Sequence, residues 1–282
     1  MNKSCIIFAC TVFSKDRLFV LKQFIDSFEK NFLDSDIYVG INFGTIPEAE
    51  QLIRSSKLNV VSIDYCLESL YANSDASAYQ SALHSLKNSG REYSNYWFIH
   101  TKGSVNSHSD YLRSWYIDNF ISDRTNVESF LDLNPEFGSY GKLGIEFNPN
   151  KYYSETDTEI SLFNSVITED LPYTHANFFY IHTLYVLSNK PMKKFFSLIT
   201  NNWFESKLDR YYFEGVFPFI VSRSGYFPYI ENRTSCTGTD LSVGLRQWID
   251  KNKLYQYEPF IDSYKNNFAF DQLNPPYVNS NS

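Results

Sequence analysis

The chain has 282 residues, which suits one large domain or one domain with an appendage. With 43% hydrophobic and 20% charged residues it can bury a sizeable core, so global disorder is excluded. A formal net charge of -7 without any block of basic residues argues against a nucleic-acid or anionic-membrane surface, though it leaves room for a local phosphate pocket.

The first hundred residues alternate regularly. CIIFACTVF (5–13) is an apolar run of strand length. In 14–32, Leu18, Leu21, Phe24, Ile25, Phe28 and Phe32 recur every three or four positions and predict an amphipathic helix, with Ser14 or Asp16 as its cap. DIYVGINFG (36–44) reads as a second strand, and 47–56 as a short helix with Pro47 at its first position. NVVSIDYC (59–66) is a third strand. A helix over 75–90 stops at Gly90, and NYWFIHTKG (95–103) is a fourth strand. This rhythm predicts an α/β fold: a Rossmann-like, mostly parallel sheet flanked by helices. Ligands of such sheets bind outside the carboxyl ends of the strands. Thr11, Phe13, Asn42, Asp64 and the stretch His100 to Gly103 all fall there.

After residue 105 the pattern is mixed. Residues 109–121 look helical, 143–149 form a short strand, and 176–188 form a longer strand or a strand running into a helix. Residues 190–204 and 208–225 are helical by period. The expected organisation is a single catalytic domain over 1–265, with halves 1–105 and 106–265, followed by a tail at 266–282. No internal repeat is found.

Most of the 22 Tyr and 25 Phe are expected in an aromatic-rich core, although such chains also build amphipathic grooves. Cys5, Cys10, Cys66 and Cys236 match neither a zinc spacing nor a disulfide framework. Three of them sit in apolar runs, where a buried free thiol is the default, and this points to a reducing cytoplasm. No segment approaches the length of an apolar membrane span. Motifs of serine hydrolases, zinc proteases and P-loop enzymes are absent.

Four short motifs occur in order: His100-Thr101-Lys102-Gly103 at the end of the fourth strand, Arg113 and Trp115 on the helix after it, His175-Ala176-Asn177-Phe178-Phe179, and Asp209-Arg210-Tyr211-Tyr212-Phe213-Glu214. On these motifs the chain resembles glycosyltransferases of the GT-A fold, and in particular the rhamnan-synthesis type of bacterial and viral polysaccharide-biosynthesis transferases. The resemblance covers about residues 4 to 225. It implies a nucleotide-sugar donor, a glycan acceptor and transfer of a hexosyl or deoxyhexosyl group. Most GT-A enzymes carry an Asp-x-Asp metal motif where this chain has His-Thr-Lys. Hard cations prefer oxygen ligands, so the resemblance leaves a Mn²⁺ or Mg²⁺ site without its usual carboxylates, and no metal ligand is assigned.

Glycosyl transfer builds negative charge on the leaving diphosphate, which a metal or fixed cations and N–H donors must stabilise. His100, Lys102 and Arg113 are candidates, and Gly103 would let backbone approach a phosphate. Read without a ligand, His100 is a satisfied strand-end histidine and Lys102 solvates a loop. Thr11, Phe13 and Arg17 follow the first strand, where the nucleoside would sit, and Asp64 can accept from a base or a ribose hydroxyl. An inverting transfer needs a general base. Glu214 and Asp209 are the candidates, with Glu146 as a third, while Glu214 can equally pair with Arg210 four residues back. His175, Asn177 and Trp115 are candidates for sugar recognition. His84 and His108 are expected to be structural or exposed. The alternative function is a non-catalytic carbohydrate-binding protein on a decayed transferase fold. A nucleotidyltransferase would need clustered carboxylates, which the sequence does not present.

Overall fold

In the computed structural model the described residues are 3–66, 75–101, 110–141, 144–147, 179–182, 184–199, 201–205 and 227–230. The central feature is a seven-stranded sheet in the order β3-β2-β1-β4-β8-β5-β9. Its strands are β1 (Ser4–Cys10), β2 (Asp36–Ile41), β3 (Asn59–Tyr65), β4 (Asn95–His100), β5 (Phe137–Gly141), β8 (Tyr185–Ser188) and β9 (Phe227–Ile230). All neighbours are parallel except at β8, which runs antiparallel to both β4 and β5. A separate antiparallel pair joins β6 (Gly144–Phe147) to β7 (Phe179–His182). The described helices are α1 (Leu18–Asn31), α2 (Pro47–Arg54), α3 (Ala76–Ser89), α4 (Asp110–Asn119), α5 (Arg124–Leu133) and α6 (Asn189–Leu198). The expected α/β fold with a mostly parallel, helix-flanked sheet and a mixed second half is therefore observed.

Every residue of β1 is buried, as a parallel strand covered on both faces requires. Side-chain alternation sorts the strands into two cores. Ile6, Phe8 and Cys10 face α1, together with Trp97 and Ile99 of β4. Cys5, Ile7 and Ala9 face α3 and α6, together with Tyr96 and Phe98. The first core is aromatic, as expected. Phe8 meets Phe28 edge-on at 5.2 Å, Phe32 meets Trp97 at 5.0 Å, and Trp97 meets Phe120 at 5.0 Å. Cys5, Cys10 and Cys66 are buried free thiols, and burial pushes all three above the usual thiol pKa.

Helix α3 lies unusually close to the sheet. A Cβ on Gly40 of β2 would stand 1.7 Å from the Ala78 carbonyl oxygen. Ala76, Ala78 and Ala82 keep the helix side of this contact small and are all buried. The close packing holds the start of α3 against the carboxyl ends of the strands. At the other end of α3, Gly90 adopts φ 63, the left-handed stop expected from sequence.

At the amino ends of the strands, Asp36 is 2% exposed and accepts hydrogen bonds from Lys3, Asn59, Arg91 (2.9 Å) and Tyr93 (2.7 Å). Burial by itself would raise its pKa. The bonds from Lys3, Tyr93 and Arg91 outweigh that and hold it below the usual carboxylate value. The stability Asp36 contributes is thus fully present above its unfolded pKa, about 3.9, and is lost as pH falls through the lower folded value. An Asp36→Asn variant is expected to lose about 2 kcal/mol at pH 7, in line with bonds to a charged acceptor. Its unfolding free energy, followed in urea from pH 6 to pH 2, should fall less steeply than that of the parent chain.

Several elements differ from the expectation. Ser14 holds the N-cap position of a 3-10 turn (Lys15–Arg17) that precedes α1, but its side chain makes no capping bond. Residue Arg17, not Asp16, caps α1, again without a side-chain bond. The run 176–188 contains two strands in different sheets, β7 and β8, not one. Helix α5 and strands β5 and β9 were not anticipated. The expected helix at 208–225 lies outside the described residues. Among the described residues no helix is long and apolar enough to cross a membrane.

Candidate functional site

Strands β1, β2 and β3 step in one direction across the sheet, and β4 lands on the opposite side of β1. The connections therefore part at the carboxyl ends of β1 and β4, which opens a crevice there. Register sets its contents. Ala9 pairs with His100, and Gly40 with both Ala9 and Asp64. Alternation along each strand then turns Thr11, Asn42, Asp64 and His100 toward the α3 face.

Hydrogen bonds tie the ends of β1 and β4 together at the base of the crevice. The Thr101 N–H donates to the Ala9 carbonyl at 3.1 Å. The Thr101 hydroxyl donates to the Thr11 carbonyl at 3.0 Å and accepts from the Thr11 N–H at 2.8 Å. Thr11 extends the network across the strand ends. Its hydroxyl donates to Asp75 Oδ1 at 3.0 Å and accepts from Asn42 Nδ2 at 3.2 Å. The Cys66 thiol donates to Asn42 Oδ1 at 3.4 Å and accepts from the Phe43 N–H at 2.9 Å. His100 stands at the other side of Asp75. Its Nδ1 is 3.4 Å from the Tyr79 hydroxyl and its Nε2 is 3.9 Å from Asp75 Oδ2. One connected polar floor thus runs from β4 to β3. Asp75 and Tyr79, both from α3, belong to it and were not singled out in the sequence.

Phe13, Phe43 and Tyr65 follow or end β1, β2 and β3, and each is exposed. Gly44, at φ 82, lies under the Phe13 ring, and a Cβ there would stand 3.4 Å from that ring. The Tyr65 hydroxyl donates to Glu50, and that bond pushes its pKa up to about 12. Asp64 is half-buried, and its Oδ2 is enclosed without a hydrogen-bond partner among the described residues.

Arg17 and Arg113 converge on one carboxylate. Each donates to Asp110 Oδ1 at 2.6 Å, and Arg113 Nε donates to Gln23 at 2.8 Å. Both guanidinium groups lie over the Phe19 ring, at 5.0 and 5.4 Å. The two cations thus form one cluster on this carboxylate. Arg113 is 3% exposed, so Arg17, at 15%, is its more accessible member. Trp115 is buried in the α1-side core, edge-on to Tyr116. His84 packs its ring 4.7 Å from Phe204, a structural contact. Glu146 is on β6. Lys102, Gly103, His108, His175, Asn177, Asp209 and Glu214 lie outside the described residues.

No group of three or more His, Cys, Asp or Glu side chains that could hold a metal ion occurs among the described residues. At the end of β4 the described donors are one carboxylate, one imidazole and hydroxyls.

The fold and the crevice define an α/β protein with a Rossmann-like sheet. No protein-family model matches the chain, and no curated protein matches it. Solved structures do match. One is a CMP:2-keto-3-deoxy-manno-octonic acid synthetase complexed with CTP, at 9% identity and a TM-score of 0.41, over 89% of this chain and 100% of that one. A likeness this shallow bears on neither activity nor ligand.

Proposed function

We propose that the chain is a GT-A-like glycosyltransferase that moves a sugar from a nucleotide-sugar donor to a hydroxyl of a glycan. The observation that carries this reading is the convergence of Thr11, Asn42, Asp75, His100 and Thr101 on the carboxyl ends of β1, β2 and β4. This is where an open parallel sheet seats its ligand, and exposed Phe13 offers a flat face for a base beside it. Asp64 and Arg17 complete the nucleoside end. Lys102 and Gly103 follow Thr101 directly in the chain and meet the diphosphate, with Lys102 as the fixed cation. The buried, unpaired cysteines suit a reducing cytoplasm.

The step is a direct displacement. An acceptor hydroxyl attacks the anomeric carbon, the bond from that carbon to the β-phosphate oxygen breaks, and the nucleoside diphosphate leaves with the electron pair. Glu214 or Asp209 takes the acceptor's proton. His175 and Asn177 belong to the acceptor side, in the half from 106 to 265, whereas Trp115, expected beside them, packs in the α1-side core. In this reading the charge on the leaving group is stabilised by fixed protein groups.

A turnover screen over several nucleotide sugars, run with and without a chelator, tests this. The expected result is donor hydrolysis or transfer that is unchanged by the chelator. Chelator-sensitive turnover would remove the fixed-cation clause alone. Glycan binding with no nucleotide binding would instead favour a carbohydrate-binding protein on the same fold.

A further inference from the structure

Asp75 immediately precedes α3, where an aspartate ordinarily turns back onto the N–H groups of the first turn, a bond worth about 1 kcal/mol. It makes no such bond, and its backbone is helical (φ -73, ψ -9) where a capping residue would be extended. Its carboxylate reaches across to the strand ends instead. Oδ1 is fixed by the Thr11 hydroxyl, and Oδ2 faces His100 Nε2 at 3.9 Å, beyond direct hydrogen-bond distance. A carboxylate has about four acceptor positions, and the Thr11 bond fills one. The Asp75 side chain keeps 35% of its surface exposed, and that of His100 keeps 10%. The result is a fixed, accessible acceptor beside a ring nitrogen.

One hydroxyl oxygen spans such a gap, lying ~2.8 Å from each atom. It donates its proton to Oδ2 and accepts from Nε2–H. A phosphate oxygen only accepts, and the Asp75 charge repels it. The crevice is therefore sorted by chemistry, with hydroxyls at Asp75 and phosphates away from it. We propose that Asp75, with His100 beside it, binds a hydroxyl of the ligand's sugar, either the ribose of the nucleotide or the sugar it carries. This rests on the nucleotide-sugar reading and sharpens it: His100 serves the sugar, and Lys102 is left as the cation for the β-phosphate.

The test is calorimetry on the full chain with Asp75→Ala and with Asp75→Asn, which keeps an acceptor for Thr11. The probes are UDP, GDP, CDP and ADP, their 2′-deoxy and 3′-deoxy counterparts, the corresponding glucose conjugates, and free ribose, glucose and rhamnose read by saturation-transfer NMR. Both variants should bind their best probe about tenfold or more weakly, as for a lost bond to a charged acceptor. If the loss appears with the bare diphosphate and vanishes with one of its deoxy counterparts, the hydroxyl is the ribose's. If it appears only with the glucose conjugate, the hydroxyl belongs to the carried sugar. Variants that bind every probe as the parent does overturn the proposal, provided the parent binds. A parent that binds free sugars through Asp75 but no nucleotide would overturn the transferase reading and keep this one. A parent that binds no probe overturns both.

Discussion

Gly40→Ala is expected to destabilise the protein by about 3 kcal/mol or more, at or above the top of the usual range for overpacked cores. The added methyl would meet the Ala78 backbone carbonyl at 1.7 Å. A carbonyl inside a helix cannot rotate away as a flexible side chain can, so α3 as a whole must lift from β2. Lifting α3 also withdraws Asp75 and Tyr79 from Thr11 and His100, so ligand binding should fall with stability. Gly90→Ala is the control. No atom lies within 4 Å of a Cβ there, and its cost comes from φ 63 alone, roughly 1 to 2 kcal/mol. Urea midpoints of the two variants should rank in that order, with Gly40→Ala much the lower. Equal midpoints would mean that α3 does not pack on β2 this closely.

Lys102→Ala is the second large expected effect. Where fixed groups stabilise a leaving diphosphate, removing one typically costs about 100- to 1000-fold in turnover. The loss should fall on kcat more than on KM, because the charge that Lys102 meets grows as the bond breaks. Lys102→Arg should recover part of the rate by restoring the charge, whereas Lys102→Met should not. An unchanged urea midpoint for Lys102→Ala separates this chemical loss from a folding defect. If Lys102→Ala turns over as the parent does, the charge is stabilised by other groups, and the Arg17–Arg113 cluster on Asp110 becomes the next candidate.

The first four strands were legible because β1, β2 and β4 are buried throughout and read as continuous apolar runs, and β3, half-buried at the sheet's edge, still keeps its β-branched residues, with helices of clear period between them. The carboxyl-end rule then located His100, Thr101, Thr11 and Asn42 before any contact was known. The second half was harder for definable reasons. β5, FGSYG, has two glycines and no β-branched residue, so it carries little strand propensity. β9, FPYI, holds a proline, which suits its place at the sheet's edge but reads poorly as a strand. The α5 spacing of Val127, Phe130 and Leu131 is helical but short, a single apolar pair of turns between polar residues. The split of 176–188 between two sheets depends on distant partners, since β7 pairs with β6 and β8 with β4 and β5. Asp75 gave no signal of its own, because its partner, Thr11, is 64 residues away. Arg113 reads as a candidate cation for the diphosphate; its Asp110 partner is three residues back on the same helix, and only the fold brings Gln23 and Arg17 to the pair.

The most direct test of a nucleotide site at the β1–β4 crevice is a calorimetric titration of the full chain with nucleoside diphosphates in the presence of EDTA, repeated with Lys102→Ala. The account predicts that at least one diphosphate binds without metal and that the variant weakens it. Binding that vanishes in EDTA, or that survives the substitution unchanged, would contradict it.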